Sequence, residues 1–318
     1  LRYYAGIDEA GYGPLLGPLV ISSASFRILD QSQRDQLWNF TKTSVAARAS
    51  DAAAKPMVAD SKIVMRGSKG FRRLEETVFT FLSLFDGPRP RTLHEILFHL
   101  AGEVDDSYPW YRDCGEPLPR RTWTNVCERH GIAVKSDLAA HGCSFEGVRC
   151  AVIREGEFNK LIDETSNKGA AEWRGISRLL SDIMERYGPE GVYVDVDRLG
   201  GRGRYGRLLF ELFYGAKIKI IEQSEGKSAY RVSSDAGKME ISFEVESDRR
   251  HFPVALASIF SKYIREVHME ELNRYFRAFM PELKPTAGYV QDGRRFLDDT
   301  KELRAQLAVP DQLLVRCR

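Results

Sequence analysis

The stretch that most constrains this 318-residue chain is its start, Gly6-Ile7-Asp8-Glu9-Ala10-Gly11-Tyr12-Gly13-Pro14-Leu15-Leu16-Gly17-Pro18. A short apolar strand over residues 3–7 delivers two adjacent carboxylates into a turn rich in glycine and proline. Neighbouring side chains on a strand point to opposite faces, so a regular strand cannot aim both acids at one point. Where the strand breaks into a glycine-rich turn, both can swing together, and bare backbone N–H groups can approach a ligand. Acid beside open backbone points to a cation holding a phosphate. For the string taken alone, a solvated Asp-Glu followed by a tight turn is the plainer alternative.

Composition narrows the class. The chain is 43% hydrophobic and 29% charged, the balance of a water-soluble globular protein. Its apolar runs, such as residues 15–24, are interrupted by Gly, Pro and Ser and fall short of a bilayer span. Membrane association is therefore not expected. No signal peptide is read at the start, which is Leu1 rather than methionine. Five scattered cysteines argue against a disulfide framework and for a reducing compartment, so the expected location is cytoplasmic. A net charge of +2 supplies no strong steering field, so a nucleic-acid enzyme of this composition must gather its basic residues locally.

Strands are expected at 3–7 and 19–28, a hairpin pair around the turn, followed by a polar, helix-compatible segment over 31–47. Asp60-Ser61-Lys62 leads into Phe71, Leu74, Val78, Phe81 and Leu82 at helical spacing; Asp60-Ser61 by itself reads as a helix N-cap. From 86 to 142 prolines cluster and helical pieces shorten, which reads as an inserted subdomain. A strand resumes over 148–153 and an amphipathic helical region spans 157–187. Gly191-Val192-Tyr193-Val194-Asp195 reads as a buried strand ending in an acid, with the loop Gly200-Gly201-Arg202-Gly203-Arg204 beyond it. Ligands of α/β folds sit at such strand C-termini. A further strand is expected over 216–222, a hairpin about Asp235-Ala236-Gly237, and a long helix from the low 250s to Phe279.

The opening string resembles the first active-site motif of the class II ribonucleases H, DEAGRGP, with Tyr12 in place of its arginine. Other motifs follow in that family's order. Asp60-Ser61-Lys62 is similar to its DSK step, and Phe158-Asn159-Lys160-Leu161 to the step after its third strand. Residues 252–262, preceded by Glu246-Ser247-Asp248, resemble its D…AAASI-x-AK helix. Gly288-Tyr289 resembles its C-terminal GY, with Gln291 and Arg294 replacing the usual Thr and His. The resemblance implies an α/β, ribonuclease H-like fold: a mixed central sheet flanked by helices, with acids at strand ends and on one helix. Residues 1–318 would form a single catalytic domain carrying the 86–142 subdomain within it.

The resemblance also implies chemistry. Asp8, Glu9, Asp195 and Glu266, the last eight residues beyond Ser258, make its four-carboxylate set. Like charges at close range raise one another's pKa, so such a set needs cations. Two Mg²⁺ or Mn²⁺ ions, which prefer oxygen ligands, resolve the repulsion. Asp8 and Asp195 are the first-choice ligands, Glu9 and Glu266 complete the shell or manage protons, and Asp197 is held in reserve. For Glu266, an ordinary helix acid paired with Lys262 at i−4 remains open. The implied reaction is hydrolysis of the RNA strand of an RNA/DNA hybrid, or of a ribonucleotide embedded in DNA. Gly11, Tyr12 and Gly13 stand where the family reads the ribose 2′-hydroxyl. Tyrosine cannot make the charge-assisted phosphate contact of an arginine, so Lys62 or the Arg202/Arg204/Arg207 cluster would supply it, and Tyr289 would stack on a sugar. Two rivals are a nuclease of this fold redirected to another nucleic acid and a silent nucleic-acid-binding paralogue. Concentrated acids facing phosphates argue against the silent binder. The oligomeric state is open, with a monomer as the working expectation. Cys114, Cys127, His130, His141 and Cys143 raise a structural zinc, but only Cys127/His130 and His141/Cys143 are closely spaced, and packing cysteines are the better reading.

Overall fold

Burial along nearly its whole length marks β1 (Tyr3–Ala10) as a central strand. In the computed structural model, which describes residues 1–52, 54–102, 107–112, 115–198 and 200–317, it lies in the middle of a seven-stranded sheet. On one side β2 (Leu19–Arg27) returns antiparallel, with Ala10 opposite Val20, and β3 (Ser144–Ile153) pairs antiparallel beyond it. On the other side β4 (Val192–Asp197) and then β7 (Gly237–Glu244) run parallel to β1. The antiparallel pair β5 (Lys217–Gln223) and β6 (Lys227–Ser234) extends that edge, giving the order β3-β2-β1-β4-β7-β6-β5. Between β2 and β3 lie α1 (Leu37–Phe40), α2 (Ser61–Val64), α3 (Gly70–Leu82), α4 (Leu93–Ala101) and α5 (Thr124–Ala139). Between β3 and β4 lie α6 (Glu155–Thr165) and α7 (Lys168–Tyr187), and α8 (Gly206–Leu212) precedes β5. After β7 come α9 (Phe252–Phe279), α10 (Val290–Asp299), α11 (Lys301–Gln306) and α12 (Asp311–Leu314). This is the mixed sheet flanked by helices that an α/β, ribonuclease H-like fold requires.

Two helices clamp the sheet. Pro253, whose fixed φ suits a first turn, starts α9, which presses on β1 and β2. Gly6 permits the approach, since a Cβ there would lie 2.1 Å from the Val254 nitrogen. Tyr4, Phe26, Phe81, Phe252, Leu256 and Phe260 fill this layer. On the opposite face α7 sets Ile176, Leu179, Leu180 and Ile183 against Ala5, Ile7, Ile21 and Val194. Each fully buried side chain of this size contributes about 1.5–3 kcal/mol, so the strand ends are held from both sides. A third cluster packs Leu15 and Leu16 of the glycine-rich turn against Trp110, Phe276 and Phe296.

Three expectations change in detail. The polar segment after β2 has too little apolar surface for a long helix and forms a 3-10 turn (Gln31–Gln36) and the one-turn α1. The helical region over 157–187 is two helices, divided where Ser166 takes φ 51° and the Asn167 side chain caps α7 by accepting from the Gly169 N–H at 2.9 Å. And β4 does not stop at Asp195 but continues through the fully buried Val196 to Asp197. In the stretch 86–142, α4 and α5 bury Ile96, Leu100, Val134 and Leu138 in the same cluster as Phe26 and Val148. His130 lies 3.3 Å from Glu76, His141 stacks on Phe40 at 4.0 Å, and the Cys143 thiol donates to Gln33. Cys127 packs beside Thr122, and Cys114 lies outside the described residues. Among the described residues, no helix is long and apolar enough to cross a membrane.

Candidate metal centre

The register of β1 on β4 decides which acids meet. Gly6 lies beside Asp195 and Ile7 beside Val196, so one further step along both strands sets Asp8 beside Asp197. Although β1 runs on to Ala10, the Glu9 carboxylate joins them: one oxygen each of Asp8, Glu9 and Asp197 lies within 4.8 Å of the others. The Asp8 side chain folds back to accept from the Glu9 N–H at 2.7 Å, and Ser261 of α9 donates to the Asp8 carbonyl at 3.0 Å. Asp197 accepts from the Ser247 N–H at 2.8 Å. These acids open into a cleft of about 630 Å³ that Asp60 and Asp248 also line. Asp60 caps α2 by accepting from the Lys62 N–H at 2.8 Å. The expected substrate residues Gly11, Tyr12, Gly13, Lys62 and Tyr289 line the same cleft.

Charge is out of balance here. Burial, then Glu9, Asp197 and Asp248, push the Asp8 carboxyl well above the usual carboxylate range. Burial raises Glu9 as well. It pushes Asp197 to about 6, and with help from Asp60 and Asp197 it pushes Asp248 to about 6. Lys62 opposes these shifts without cancelling them. Lys262 also reaches the cleft, but its ammonium lies 2.7 Å from Glu266. A donor set made only of carboxylate oxygens, with an excess of negative charge, fits a hard divalent cation.

The turn above the acids is held from behind. Gly11 takes φ +97°, and a Cβ on it would lie 2.7 Å from the Arg265 side chain. That arginine, wholly buried on α9, donates to the carbonyls of Leu16 at 3.3 Å and Ala287 at 3.0 Å. Its guanidinium also sits 5.7 Å from the centre of the Tyr289 ring, which stays 53% exposed at the cleft. Arg316 donates to the Pro14 carbonyl at 3.1 Å. A Cβ on Gly13 would meet nothing, so the backbone there faces open space.

The structure does not bring Asp195 or Glu266 into this group. Asp195 is 0% exposed and sits one pleat below the strand end. It accepts from the Tyr4 hydroxyl at 2.8 Å and from Arg34 at 2.9 and 3.1 Å, and lies 3.1 Å from His251 Nδ1. His251 Nε2 is 3.4 Å from Glu244, which pairs with Lys227 at 2.8 Å and Arg250 at 3.4 Å. The His251 and Lys227 contacts hold the Glu244 carboxyl down at about 2. This second group of potential ligands is therefore already neutralised by side chains. Asp195 and Asp197 share a face of β4, so their spacing cannot tell them apart; only the strand's extra length and its register with β1 put Asp197 at the end. Glu266 lies 2.7 Å from Lys262 and 3.2 Å from Arg265, which is the i−4 pairing the sequence left open.

Sequence reasoning passed over other residues. The sequence assigns Asp248 only to the approach to α9, and Asp60 to a DSK-like step or a helix cap, without placing either among the metal-site acids. The available signal was that each is an acid just before a helix, Asp60 before α2 and Asp248 before α9. Glu172, on α7, is 2% exposed, and its Oε2 has no hydrogen-bond partner among the described residues. Burial, with Glu9 and Asp197, pushes its carboxyl to about 9. Arg202 and Arg204 line a second groove next to Tyr12, while Arg207 pairs with Glu211 at 2.8 Å.

No family model and no curated protein matches the chain. Solved structures do. Ribonuclease HII from Archaeoglobus fulgidus, solved in a complex with PCNA, is 17% identical at a TM-score of 0.41, covering 100% of this chain and 95% of that one. Ribonuclease H2 from Pyrococcus horikoshii OT3 is 16% identical at 0.41, covering 98% and 92%. Bst ribonuclease HIII with Mn²⁺ is 13% identical at 0.44, covering 99% of this chain and 66% of that one. The solved proteins to which this chain is similar are thus ribonucleases of the HII and HIII types.

Proposed function

We propose that this protein is a divalent-metal-dependent endonuclease that hydrolyses the RNA strand of RNA/DNA hybrids or ribonucleotides embedded in DNA. The observation that carries the reading is the uncompensated cluster of Asp8, Glu9 and Asp197 beneath the glycine-rich turn. These three, with Asp248 across the cleft, are the residues to hold two Mg²⁺ or Mn²⁺ ions. Bound there, such ions activate the attacking water and stabilise the leaving oxygen of a phosphodiester. The remaining work falls to the chain. Lys62 meets a phosphate, the backbone from Gly11 to Gly13 meets the ribose 2′-hydroxyl, and Tyr289, backed by Arg265, stacks on a sugar. Asp195 and Glu266 act from behind, the first by fixing β4 and the second by positioning Lys262. The 86–142 stretch belongs to this one catalytic domain as an insertion. The described cysteines are free thiols, which suits a reducing cytoplasm.

The preference for ribose rests on the opening motif's resemblance. One observation favours a different nucleic acid: Tyr12 is partly buried and packs against the α7-side core, where an arginine would reach outward. Labelled duplexes separate the two. An RNA/DNA hybrid and DNA with one embedded ribonucleotide should be cut with Mg²⁺ or Mn²⁺, an all-DNA duplex should stay whole, and Asp197→Asn should abolish cutting. Three intact duplexes in the presence of wild-type protein and metal would refute the proposal.

A further inference from the structure

One buried acid near the cleft has no explanation in what precedes. Glu172 stands in the first turns of α7, 2% exposed, with an Oε2 that meets no hydrogen-bond donor among the described residues. Leaving a carboxylate unpaired inside a protein is costly, and buried polar atoms are nearly always satisfied. A glutamine or a leucine would fill the space without that cost. The side chain lines a groove with Tyr12, Gly200 and Arg202, and Tyr12 and Gly200 are shared with the acid cleft, so the two are continuous. The charges acting on it are those of Glu9 and Asp197, the two acids on its side of the cluster, with Arg202 opposing them. Glu172 is not within the tight three-acid group. From the groove that adjoins the acid cleft, it can accept a hydrogen bond from a water on a cation that Glu9 and Asp197 would hold.

Resting on the metal-centre reading above, we infer that Glu172 is a further carboxylate of that centre, a positioning residue that anchors the water shell of a divalent cation held between Glu9 and Asp197. This accounts for its burial and for its orphaned oxygen together. Partners of this kind typically contribute 10–100-fold to metal affinity. The test is a Mn²⁺ titration of the protein, read by the electron paramagnetic resonance of free Mn²⁺, with thermal unfolding of the metal-free protein alongside. Glu172→Gln keeps the shape and removes the ability to ionise when a cation binds. Its Mn²⁺ affinity should fall by about 10–100-fold, while its metal-free unfolding temperature stays level or rises. Wild-type affinity in a folded Glu172→Gln overturns the inference and leaves the metal centre standing. No Mn²⁺ binding by the wild type overturns both. Should Glu172→Gln not fold, Glu172→Asp, whose carboxylate is withdrawn by one methylene, is titrated under the same outcomes.

Discussion

Asparagine at position 195 and asparagine at position 197 should have opposite consequences, although the two aspartates share a strand and a face. Asp195 is enclosed by Tyr4, Arg34 and His251. Removing one partner of a buried pair costs about 3–5 kcal/mol. The Arg34 side chain is 18% exposed and can turn to water, so the lower end, about 3 kcal/mol, applies to Asp195→Asn. At roughly 2–4 °C per kcal/mol for a large domain, the metal-free protein should melt about 6–12 °C lower. Asp197→Asn removes a carboxylate whose pKa the fold pushes to about 6, so keeping it ionised at neutral pH costs the fold free energy. That cost bounds the relief at about 3 kcal/mol, and partial exposure brings it to about 1 kcal/mol. The amide oxygen still accepts from the Ser247 N–H. Metal-free Asp197→Asn should therefore melt a few degrees higher, about 2–4 °C. With Mn²⁺ at a hundred times Kd, the wild type should gain about 2.7 kcal/mol, Asp195→Asn should keep that gain, and Asp197→Asn should lose it. Calorimetry with chelator and with Mn²⁺ reads all five quantities. If Asp195→Asn kept its melting temperature and lost its response to Mn²⁺, while Asp197→Asn responded normally, the register argument would be wrong.

Three other perturbations follow from the same geometry. Gly6→Ala places a Cβ 2.1 Å from the Val254 nitrogen and 2.4 Å from the Pro253 carbonyl carbon, backbone atoms that cannot turn aside. The loss should reach or exceed about 3 kcal/mol, and an unchanged urea midpoint would contradict it. For pH, Asp197 and Asp248 both titrate near 6 in the fold, above their unfolded value of about 3.9. The native state then binds more protons between about 4 and 6, so metal-free stability should fall as pH rises through that window; chelator-treated protein that gains stability there would be inconsistent with the cluster. Arg316→Ala leaves the buried Pro14 carbonyl without its donor, costing about 1–3 kcal/mol locally. Amide exchange at Tyr12 and Gly13 should quicken, and unaltered protection would show that the turn holds itself.

Much of this fold is legible because its elements are punctuated. Glycine and proline mark the turn between β1 and β2, and apolar spacing marks α3 and α9. The extended pair around Asp235 and Gly237 is equally plain. What escaped was tertiary. In Val192-Tyr193-Val194-Asp195-Val196-Asp197 the two acids repeat with the strand's own period, so pattern alone sends both to one face. Which of them is neutralised depends on Arg34, from a 3-10 turn with no buried residue and hence no pattern to read. The break at Ser166 escaped because the apolar repeat runs on through it. Glu172 escaped although its spacing was a signal: it stands four residues before Ile176 and seven before Leu179, an acid on the apolar stripe of α7.

The two acid groups on the α9 face explain each other. Asp195, Glu244 and His251 could in principle bind a cation as well as Asp8, Glu9 and Asp197 could. Their difference lies in the neighbours. Arg34, Lys227 and Arg250 close the first group, while the second faces Lys62 and a Lys262 already engaged with Glu266. The closed group also joins the elements that carry the open one. Tyr4 belongs to β1, which ends in Asp8 and Glu9; Asp195 belongs to β4, which ends in Asp197; His251 caps α9 just after Asp248. Mutually repelling carboxylates can be held within 4.8 Å only if their backbones are fixed by something other than the carboxylates themselves. The hydrogen-bonded Tyr4–Asp195–His251 contacts, a few ångströms below, supply that restraint. Satisfied charge beneath is thus what allows unsatisfied charge above, and the direct Tyr4–His251 hydrogen bond keeps β1 and α9 joined even where Asp195 is replaced.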